Sequence, residues 1–436
     1  MSTMQTDSDS KNEEGSRNTQ SIKLDDEKQS VTDDLSNFPP APDGGLEAWL
    51  VAAGGAALFF CCLGFANSFG SFEEYYLSHQ LSDRSPDDIA WIGSLSAFLS
   101  FASGMVGGPL FDRYGAAVVR PAALAYVVSM MLLSLCNTYW QIMLVQGVLM
   151  GVLQGFLQFP AFAAAAQWFD KKRATALGIA VAGSSIGGIV FPIALSNMLN
   201  GSSLGFGWSV RVMGFVMIPF VAFACITVKP RLPSRKTKFW MPEAYRDIKF
   251  SLLIVAMFFL FFSFLTPIFF LPTYAVSRGI NPTLAGYLLA ILNAASTFGR
   301  VIPAILADKY GRLNAFALGG ILTAVTIFCF NQVTNTVGFV AYAIFFGFAS
   351  GTIISGASAA MSLCTDDPRN IGTYMGMGMS ISGVGGLIGP PVSGAFVRTY
   401  GGFYEVAMFS GAMCLVGGLV TLGTKFSTPQ GIFGRI

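Results

Sequence analysis

Apolar residues in this chain fall into long runs that short polar stretches separate. A helix needs about 20 mainly apolar residues to cross the hydrocarbon core of a bilayer. Runs of this length predict twelve transmembrane helices, near residues 48–72, 88–110, 117–137, 140–166, 174–199, 208–228, 250–275, 283–306, 314–334, 338–363, 371–397 and 403–425. Six runs precede the polar stretch 229–249 and six follow it. The expected fold class is an all-α polytopic membrane protein, with six-helix bundles over 43–228 and 250–425.

The two halves repeat the same residues in register. Sliding the sequence by 196 positions places Asp112 on Asp308, and sliding it by 198 places Gly178 on Gly376. Parallel repeats in a membrane chain are typical of secondary transporters that give alternating access to a site between the halves. The sequence therefore predicts two pseudo-symmetric six-helix bundles that enclose a ligand.

Composition supports a membrane protein, because hydrophobic residues make up 53% of the chain and charged residues only 11%. Soluble domains carry roughly 25% charged residues. The polar, acidic stretch 1–42 is the exception and predicts a disordered tail, since it buries too little apolar surface to fold. Seven cysteines lie without metal-ligand spacing and are interpreted as buried apolar residues. We expect no metal and no cofactor.

Positive charge predicts the orientation of the bundle, because Lys and Arg concentrate in cytoplasmic loops. Most of the Lys and Arg in the loops lie after the second, fourth, sixth and eighth runs, whereas the alternate loops carry few. Both termini, including the short tail 426–436, and the linker 229–249 are therefore expected in the cytoplasm. The sequon at Asn200 then lies outside, where glycosylation is topologically allowed.

Catalytic motifs are missing from the sequence, which has no Gly-Lys-Ser/Thr phosphate loop, no His-Glu-x-x-His and one histidine, His79. We expect no enzyme activity and no ATP drive, so the energy for transport must come from gradients.

The junction from Gly108 through Asp112 and Arg113 to Gly115 resembles the signature loop between the second and third helices of the major facilitator superfamily. A looser copy contains Asp308, Lys309 and Arg312. The resemblance implies a latch for the outward-open state. Its aspartate can accept bonds from a neighbouring helix N-terminus or from a cation, and Arg113 can reach an acid across the half interface. The alternative is that these residues mark solvated turns.

Two further stretches give a narrower resemblance. Asp43-Gly-Gly followed by Trp49, and the stretch from Trp168 through Asp170 and Arg173 to Ser184, are similar to signatures of the monocarboxylate transporter family, closest to its fungal branch. We expect Asp170 and Arg173 to take part in gating together with the latch residues.

That family's animal members couple a proton to a carboxylate with a Lys in the first helix and an Asp and an Arg four apart in the eighth. Here Arg300 matches the Arg, while Ser296 and Ser71 stand at the Asp and Lys positions. Proton coupling by that pair is therefore doubtful, and Arg300 is expected to contact a substrate anion, with Asn293 on the same helix face. Structural pairing of Arg300 is the alternative.

In the superfamily the first, fourth, seventh and tenth helices line the central cavity. The resemblance therefore implies that the cavity wall includes Asn67, Ser71, Gln154, Gln158, Tyr274 and Ser355. Interhelical bonding is the alternative for the two glutamines. Glu73 and Glu74 are candidates for proton coupling, although a helix that ends near them would leave both in outside water, which we favour.

The sequence thus predicts a secondary transporter of a monocarboxylate or related organic acid, working by alternating access, with a proton as the candidate coupling ion. An exporter of a fungal secondary metabolite is the alternative, and a sensor without transport, built on the same scaffold, is an alternative of another class. The expected partners are a small organic acid or metabolite, membrane lipid and protons, but no nucleic acid. We expect a monomer in the plasma membrane.

Overall fold

The computed structural model describes residues 39–234 and 238–427. Within these residues twelve helices are long and apolar enough to cross a membrane. In chain order they are α1 Leu46–Ser78, α2 Asp88–Tyr114, α3 Ala116–Leu133, α4 Tyr139–Trp168, α5 Arg173–Asn200, α6 Gly205–Thr227, α7 Ile248–Ser277, α8 Pro282–Tyr310, α9 Arg312–Gln332, α10 Thr336–Met361, α11 Pro368–Tyr400 and α12 Tyr404–Ser427. The prediction of an all-α protein with twelve spans is confirmed.

The boundaries differ from the sequence prediction by a few residues in most helices. The largest difference is in α1, which continues to Ser78 instead of ending near residue 72. The linker is shorter than expected because α7 already begins at Ile248, and it contains a 3-10 turn over Pro242–Arg246. Most of the predicted tail 1–42, and most of the tail 426–436, lie outside the described residues.

Two helices of the first half contain π segments. The helix α1 changes from α to π geometry over Phe60–Gly64 and is interrupted by a turn at Asn67 and Ser68. The helix α4 contains a second π segment, Met143–Leu149. Single π turns inside α-helices are frequent at functional sites because they leave backbone groups and side chains out of the regular pattern. The break in α1 places Asn67 in an exposed position.

Equivalent helix contacts occur in both halves. A Cβ on Gly155 of α4 would lie 2.6 Å from the carbonyl oxygen of Ser100 on α2, and a Cβ on Gly351 of α10 would lie 2.8 Å from that of Ser296 on α8. The shift of 196 residues converts the first pair into the second. Glycine is needed at both places because the backbones approach too closely for a side chain. The repeat in the sequence is therefore also a repeat of packing.

The halves meet along two seams, α5 against α8 and α2 against α11. Gly178 of α5 has no room for a side chain, because its Cβ would lie 2.5 Å from the carbonyl oxygen of Arg300 on α8. Gly376 of α11 is blocked in the same way by the Gly104 carbonyl on α2. These pairs are again related by the repeat, in which α5 is equivalent to α11 and α2 to α8. The two seams are therefore equivalent.

Candidate functional site

The first gate contact joins the end of α2 to the start of α11. The Asp112 carboxylate is 4% exposed. Its Oδ2 accepts hydrogen bonds from the backbone N–H of Thr373 at 2.6 Å and from the Thr373 hydroxyl at 2.7 Å. Thr373 lies in the first turn of its α-helix, Ile371–Tyr400, where free N–H groups and the helix dipole favour a negative charge.

The second gate contact repeats the first between α8 and α5. Asp308 Oδ1 accepts from the backbone N–H of Ala174 at 2.9 Å. Its Oδ2 accepts from the backbone N–H of Thr175 at 2.8 Å and from the Thr175 hydroxyl at 2.7 Å. We call the end of the bundle that carries Asp112 and Asp308 the inner end. The structure brings each aspartate to the N-terminus of a helix from the opposite half, as the latch hypothesis requires, and its role in gating stays a prediction.

The basic residues of the expected gate have unequal roles. Arg312 donates to Asp308 Oδ1 at 3.4 Å and also to the backbone carbonyl of Asp170. Arg173 donates to Asp170 Oδ1 at 3.1 Å and to the Ser362 carbonyl, beyond the end of α10, at 3.5 Å. These contacts join the loop before α5 to two places in the second half.

The expectation for Arg113 is corrected, because its side chain is exposed and forms no ion pair within the part of the chain that the structure describes. It is exposed at the end of α2 and does not reach an acid across the interface in the described residues. Lys309 is exposed as well, with its ammonium 5.3 Å from the Tyr310 ring centre.

The Asp-Gly-Gly signature before α1 holds the same loop from the other side. Asp43 Oδ1 accepts from the backbone N–H groups of Asp170 at 2.7 Å and Lys172 at 3.2 Å. Gly45 has φ +86°, a conformation that favours glycine. The Trp49 ring then packs 4.8 Å from that of Phe169. The two separate signatures in the sequence are therefore the two sides of one contact.

Arg300 lies in the seam between α8 and α5 and is 5% exposed. One guanidinium nitrogen donates to the carbonyl of Val181 at 2.8 Å and to the Ser184 hydroxyl, both on α5. No acidic side chain pairs with Arg300 in residues 39–234 and 238–427, and its Nε has no partner there. Polar groups of the protein itself thus contact the cation that was expected to meet a substrate anion.

A cluster of uncharged polar groups, Asn67, Ser184, Gly188 and Asn293, lies next to Arg300 at the meeting of α1, α5 and α8. A Cβ on Gly188 would lie 2.7 Å from Asn67 Nδ2 and 3.0 Å from Asn293 Oδ1. Asn67 Nδ2 also lies 3.5 Å from the Ser184 carbonyl. Pro192 has no N–H to donate to the Gly188 carbonyl, and Asn293 Nδ2 approaches that oxygen at 3.5 Å. We call these four residues the amide cluster.

Some predicted cavity residues lie elsewhere. Gln158 is buried and donates from Nε2 to the Ser100 carbonyl on α2 at 2.9 Å. Gln154 is also buried, with its amide beside the hydroxyl of Tyr126 on α3. Gln158 therefore bonds between helices of the first half, which was the alternative interpretation, whereas Gln154 contacts Tyr126 and its Oε1 is buried without a partner in the described residues.

Tyr274 and Ser355 are also separate from the amide cluster. The Tyr274 hydroxyl donates to the carbonyls of Asn331, in the last turn of α9, and Val333, just beyond it, at 3.0 and 2.9 Å. Ser355 donates to the Gly351 carbonyl at 3.2 Å and lines a small crevice beside Pro303. Helix rotation, which the sequence does not reveal, decides these placements.

Ser71, Glu73 and Glu74 lie in the outer segment of α1, Phe69–Ser78. Ser71 and Glu73 are half-buried and Glu74 is exposed. Neither carboxylate forms an ion pair within the described residues. The helix does not end before the acids, contrary to the boundary that we favoured. Beyond them, the ring of His79 stacks on Tyr75 with centroids 4.3 Å apart.

The fold agrees with the comparisons to known proteins. A sequence profile described as Major Facilitator Superfamily matches residues 54–330 and 279–431. This chain belongs to the major facilitator superfamily. The family and its fold are those of transporters, not of enzymes.

Relatives in the superfamily include fungal efflux proteins. The chain is 45% identical over 392 residues to the aspyridones efflux protein of Emericella nidulans, covering 90% of this chain and 80% of the relative. It is 34% identical over 401 residues to the agnestins efflux protein of Paecilomyces divaricatus, covering 90% and 91%. An MFS-type transporter of Aspergillus niger is 37% identical over 393 residues, with 89% and 90% covered.

Solved structures of the superfamily share the fold. The human organic anion transporter MFSD10 superposes with a TM-score of 0.71 at 14% identity, covering 87% of this chain and 100% of the other. The transporter FucP, in an outward conformation, superposes with a TM-score of 0.67 at 15% identity, covering 86% and 99%.

Proposed function

We propose that this chain is a secondary transporter that exports an amphipathic organic metabolite by alternating access. The relatives named for efflux of aspyridones and agnestins support export, at 45% and 34% identity over most of both chains. The observation that carries the proposal is the environment of Arg300. Its guanidinium bonds to Val181 and Ser184 without an acidic partner, so the site lacks the charge pair expected of a proton-coupled monocarboxylate carrier.

The amide cluster is the proposed recognition surface. Asn67 is exposed at the break of α1, Asn293 is half-buried, and Ser71 follows on the outer segment of α1. Amide and hydroxyl groups both donate and accept hydrogen bonds but carry no charge. Such a wall suits a ligand with carbonyl and hydroxyl or N–H groups on an apolar frame. Gln154, Gln158, Tyr274 and Ser355 are not part of this proposal, because they lie away from the amide cluster and contact other parts of the protein.

The two gate contacts supply the proposed switch. Asp112 and Asp308 tie the halves together at the inner end through the starts of α11 and α5. In the proposed cycle this arrangement closes the inner end, and release of both contacts lets the halves rock apart there. Arg173, Arg312 and Asp170 strengthen the closed arrangement through the loop before α5.

The proposed setting follows the charge distribution. We place the protein as a monomer in the plasma membrane, with the inner end and both termini in the cytoplasm. Protons are the proposed coupling ion, and Glu73, half-buried in α1 without an ion pair in the described residues, is the candidate carrier. Transport of a monocarboxylate is the competing function, which the signatures at Asp43 and Trp168 favour.

Export is tested in yeast cells that contain aspyridones. The amount of aspyridone retained is compared between cells with and without the chain. The expected result is lower retention with the chain, abolished by the double variant Asp112→Asn and Asp308→Asn. In parallel, proteoliposomes that contain the chain are assayed for uptake of labelled lactate and benzoate under an imposed pH gradient. If the chain leaves aspyridone retention unchanged and acid uptake follows the pH gradient, the export proposal is wrong and the function is monocarboxylate transport.

A further inference from the structure

The proline in the inner half of α2 leaves one backbone carbonyl without its usual donor. Pro109 lies inside the helix segment Gly104–Tyr114. Proline has no N–H, so the carbonyl four residues earlier, that of Met105, cannot receive its α-helical hydrogen bond. An unsatisfied carbonyl in an apolar surrounding is costly.

The missing donor comes from the linker between the halves. The indole N–H of Trp240 donates to the Met105 carbonyl at 2.9 Å. We propose that Trp240 is a positioning residue of the inner gate, which holds α2 in its closed position through this one carbonyl. This role does not depend on which substrate is carried or in which direction.

The linker segment that carries Trp240, residues 238–247, is attached to the second half. The hydroxyl of Ser251, in the first turn of α7, donates to the Tyr245 carbonyl at 2.7 Å. The Tyr245 ring packs against Phe250 of α7 with centroids 5.5 Å apart. Trp240 therefore reaches from a segment fixed on the second half to a helix of the first half.

The bond lies beside the seam that the gate must open. Gly104 and Gly108 are buried, with the Gly104 carbonyl and the Gly108 Cα against α11, whereas Met105 between them is 37% exposed. Two turns further along the same segment, Asp112 accepts its bonds from Thr373. A donor on the exposed side of this segment thus fixes the turn that supports the seam.

The carbonyl that Pro303 frees in α8 is satisfied within its own half. Pro303 frees the Gly299 carbonyl of α8, which accepts from the Thr352 hydroxyl of α10 at 3.2 Å. That donor is a neighbouring membrane helix of the same half. At Met105 the donor belongs to the segment between the halves. Of these two bonds, only the bond to Met105 is therefore expected to change when the halves rock.

The test measures the opening of the inner end with spin labels at Tyr114→Cys and Tyr310→Cys, after replacement of the other accessible cysteines. These tyrosines are 56% and 52% exposed and are equivalent in the repeat. Trp240→Phe keeps an apolar ring but removes the donor. In proteoliposomes we expect it to raise the ratio of long to short label distances by about threefold to tenfold, the range for one interhelical hydrogen bond in a membrane.

The control and the second variants separate hydrogen bonding from anchoring in lipid. Glu243→Ala removes the exposed ion pair with Lys238 in the same segment and should leave the distances unchanged. In a Pro109→Ala background, which restores the backbone donor, Trp240→Phe should have no effect. Trp240→His, which keeps an N–H, should shift the ratio less than Trp240→Phe. Unchanged distances in Trp240→Phe, an equal effect in the Pro109→Ala background or an equal shift in Trp240→His would each overturn the proposal.

Discussion

Thr175 at the start of α5 and Thr373 at the start of α11 each donate a backbone N–H and a hydroxyl to an aspartate from the opposite half. The two threonines are 198 positions apart, the same shift that relates Gly178 to Gly376. This signal was present in the repeat, and sequence reasoning missed it. The donors of the gate are therefore duplicated together with its acceptors.

Loss of charge at one gate aspartate should favour opening of the inner end. Asp112→Asn keeps one acceptor oxygen but loses the interaction of a carboxylate with the start of α11, which is worth about 1 to 2 kcal/mol. The label distance between positions 114 and 310 should lengthen. Arg113→Gln, a change in the exposed neighbouring residue, is the matched control and should not alter the distance; a shift of equal size in that variant would contradict the gate described here.

Replacement of Arg300 should impair transport of neutral and acidic metabolites equally. Arg300→Gln weakens the contacts with Val181 and Ser184 across the seam, and bonds to a charged group contribute about 1.5 to 3 kcal/mol each. Efflux rates for a matched neutral and acidic pair measure the effect. If only the acid is affected, Arg300 contacts the substrate anion and the structural role fails.

A methyl group at Gly188 should disturb the amide cluster. In Gly188→Ala the new Cβ meets Asn67 Nδ2 and Asn293 Oδ1 at 3.0 Å or less, so at least one asparagine must move. We expect export to fall at least tenfold while the protein remains monodisperse in detergent. Gly286→Ala on α8 is the control, because its Cβ would meet nothing within 4 Å. Normal export by Gly188→Ala would remove the amide cluster from the transport path.

Thiol labelling should distinguish Cys364 from Cys329. Burial raises the pKa of the Cys364 thiol to about 12, because the thiolate is poorly solvated between α10 and α11. At pH 8 this thiol stays protonated, and its thiolate fraction grows only as the pH approaches that value. Maleimide should therefore modify the exposed Cys329 and spare Cys364 in the folded protein. The readout is peptide mass, with Cys329→Ser as the control.

The same reagent tests the orientation in the membrane. Cys329 lies at the end of α9 that is opposite to the inner end. If the inner end faces the cytoplasm, a membrane-impermeant maleimide should modify Cys329 in intact cells. Labelling of Cys329 only after the cells are opened would reverse the proposed orientation.

The sequence by itself determined the twelve helices, the duplicated bundle and the aspartates of the inner end. Length and hydropathy of a run depend only on neighbouring residues, and a repeat such as Asp112 and Asp308 is visible without any contact. The two signatures at Asp43 and Trp168 were likewise visible in the sequence, as a resemblance to monocarboxylate transporters, although their contact with each other was not.

Only the tertiary structure decided what the polar groups bind. Arg300 bonds to α5, Gln158 to α2 and the Tyr274 hydroxyl to carbonyls at the end of α9. The helix faces that carry them are apolar nearly all round, so the sequence gives little information on how each helix is rotated. Rotation is set by close packing at glycines and by carbonyls that prolines leave free, and both depend on a partner helix that lies far away in the sequence.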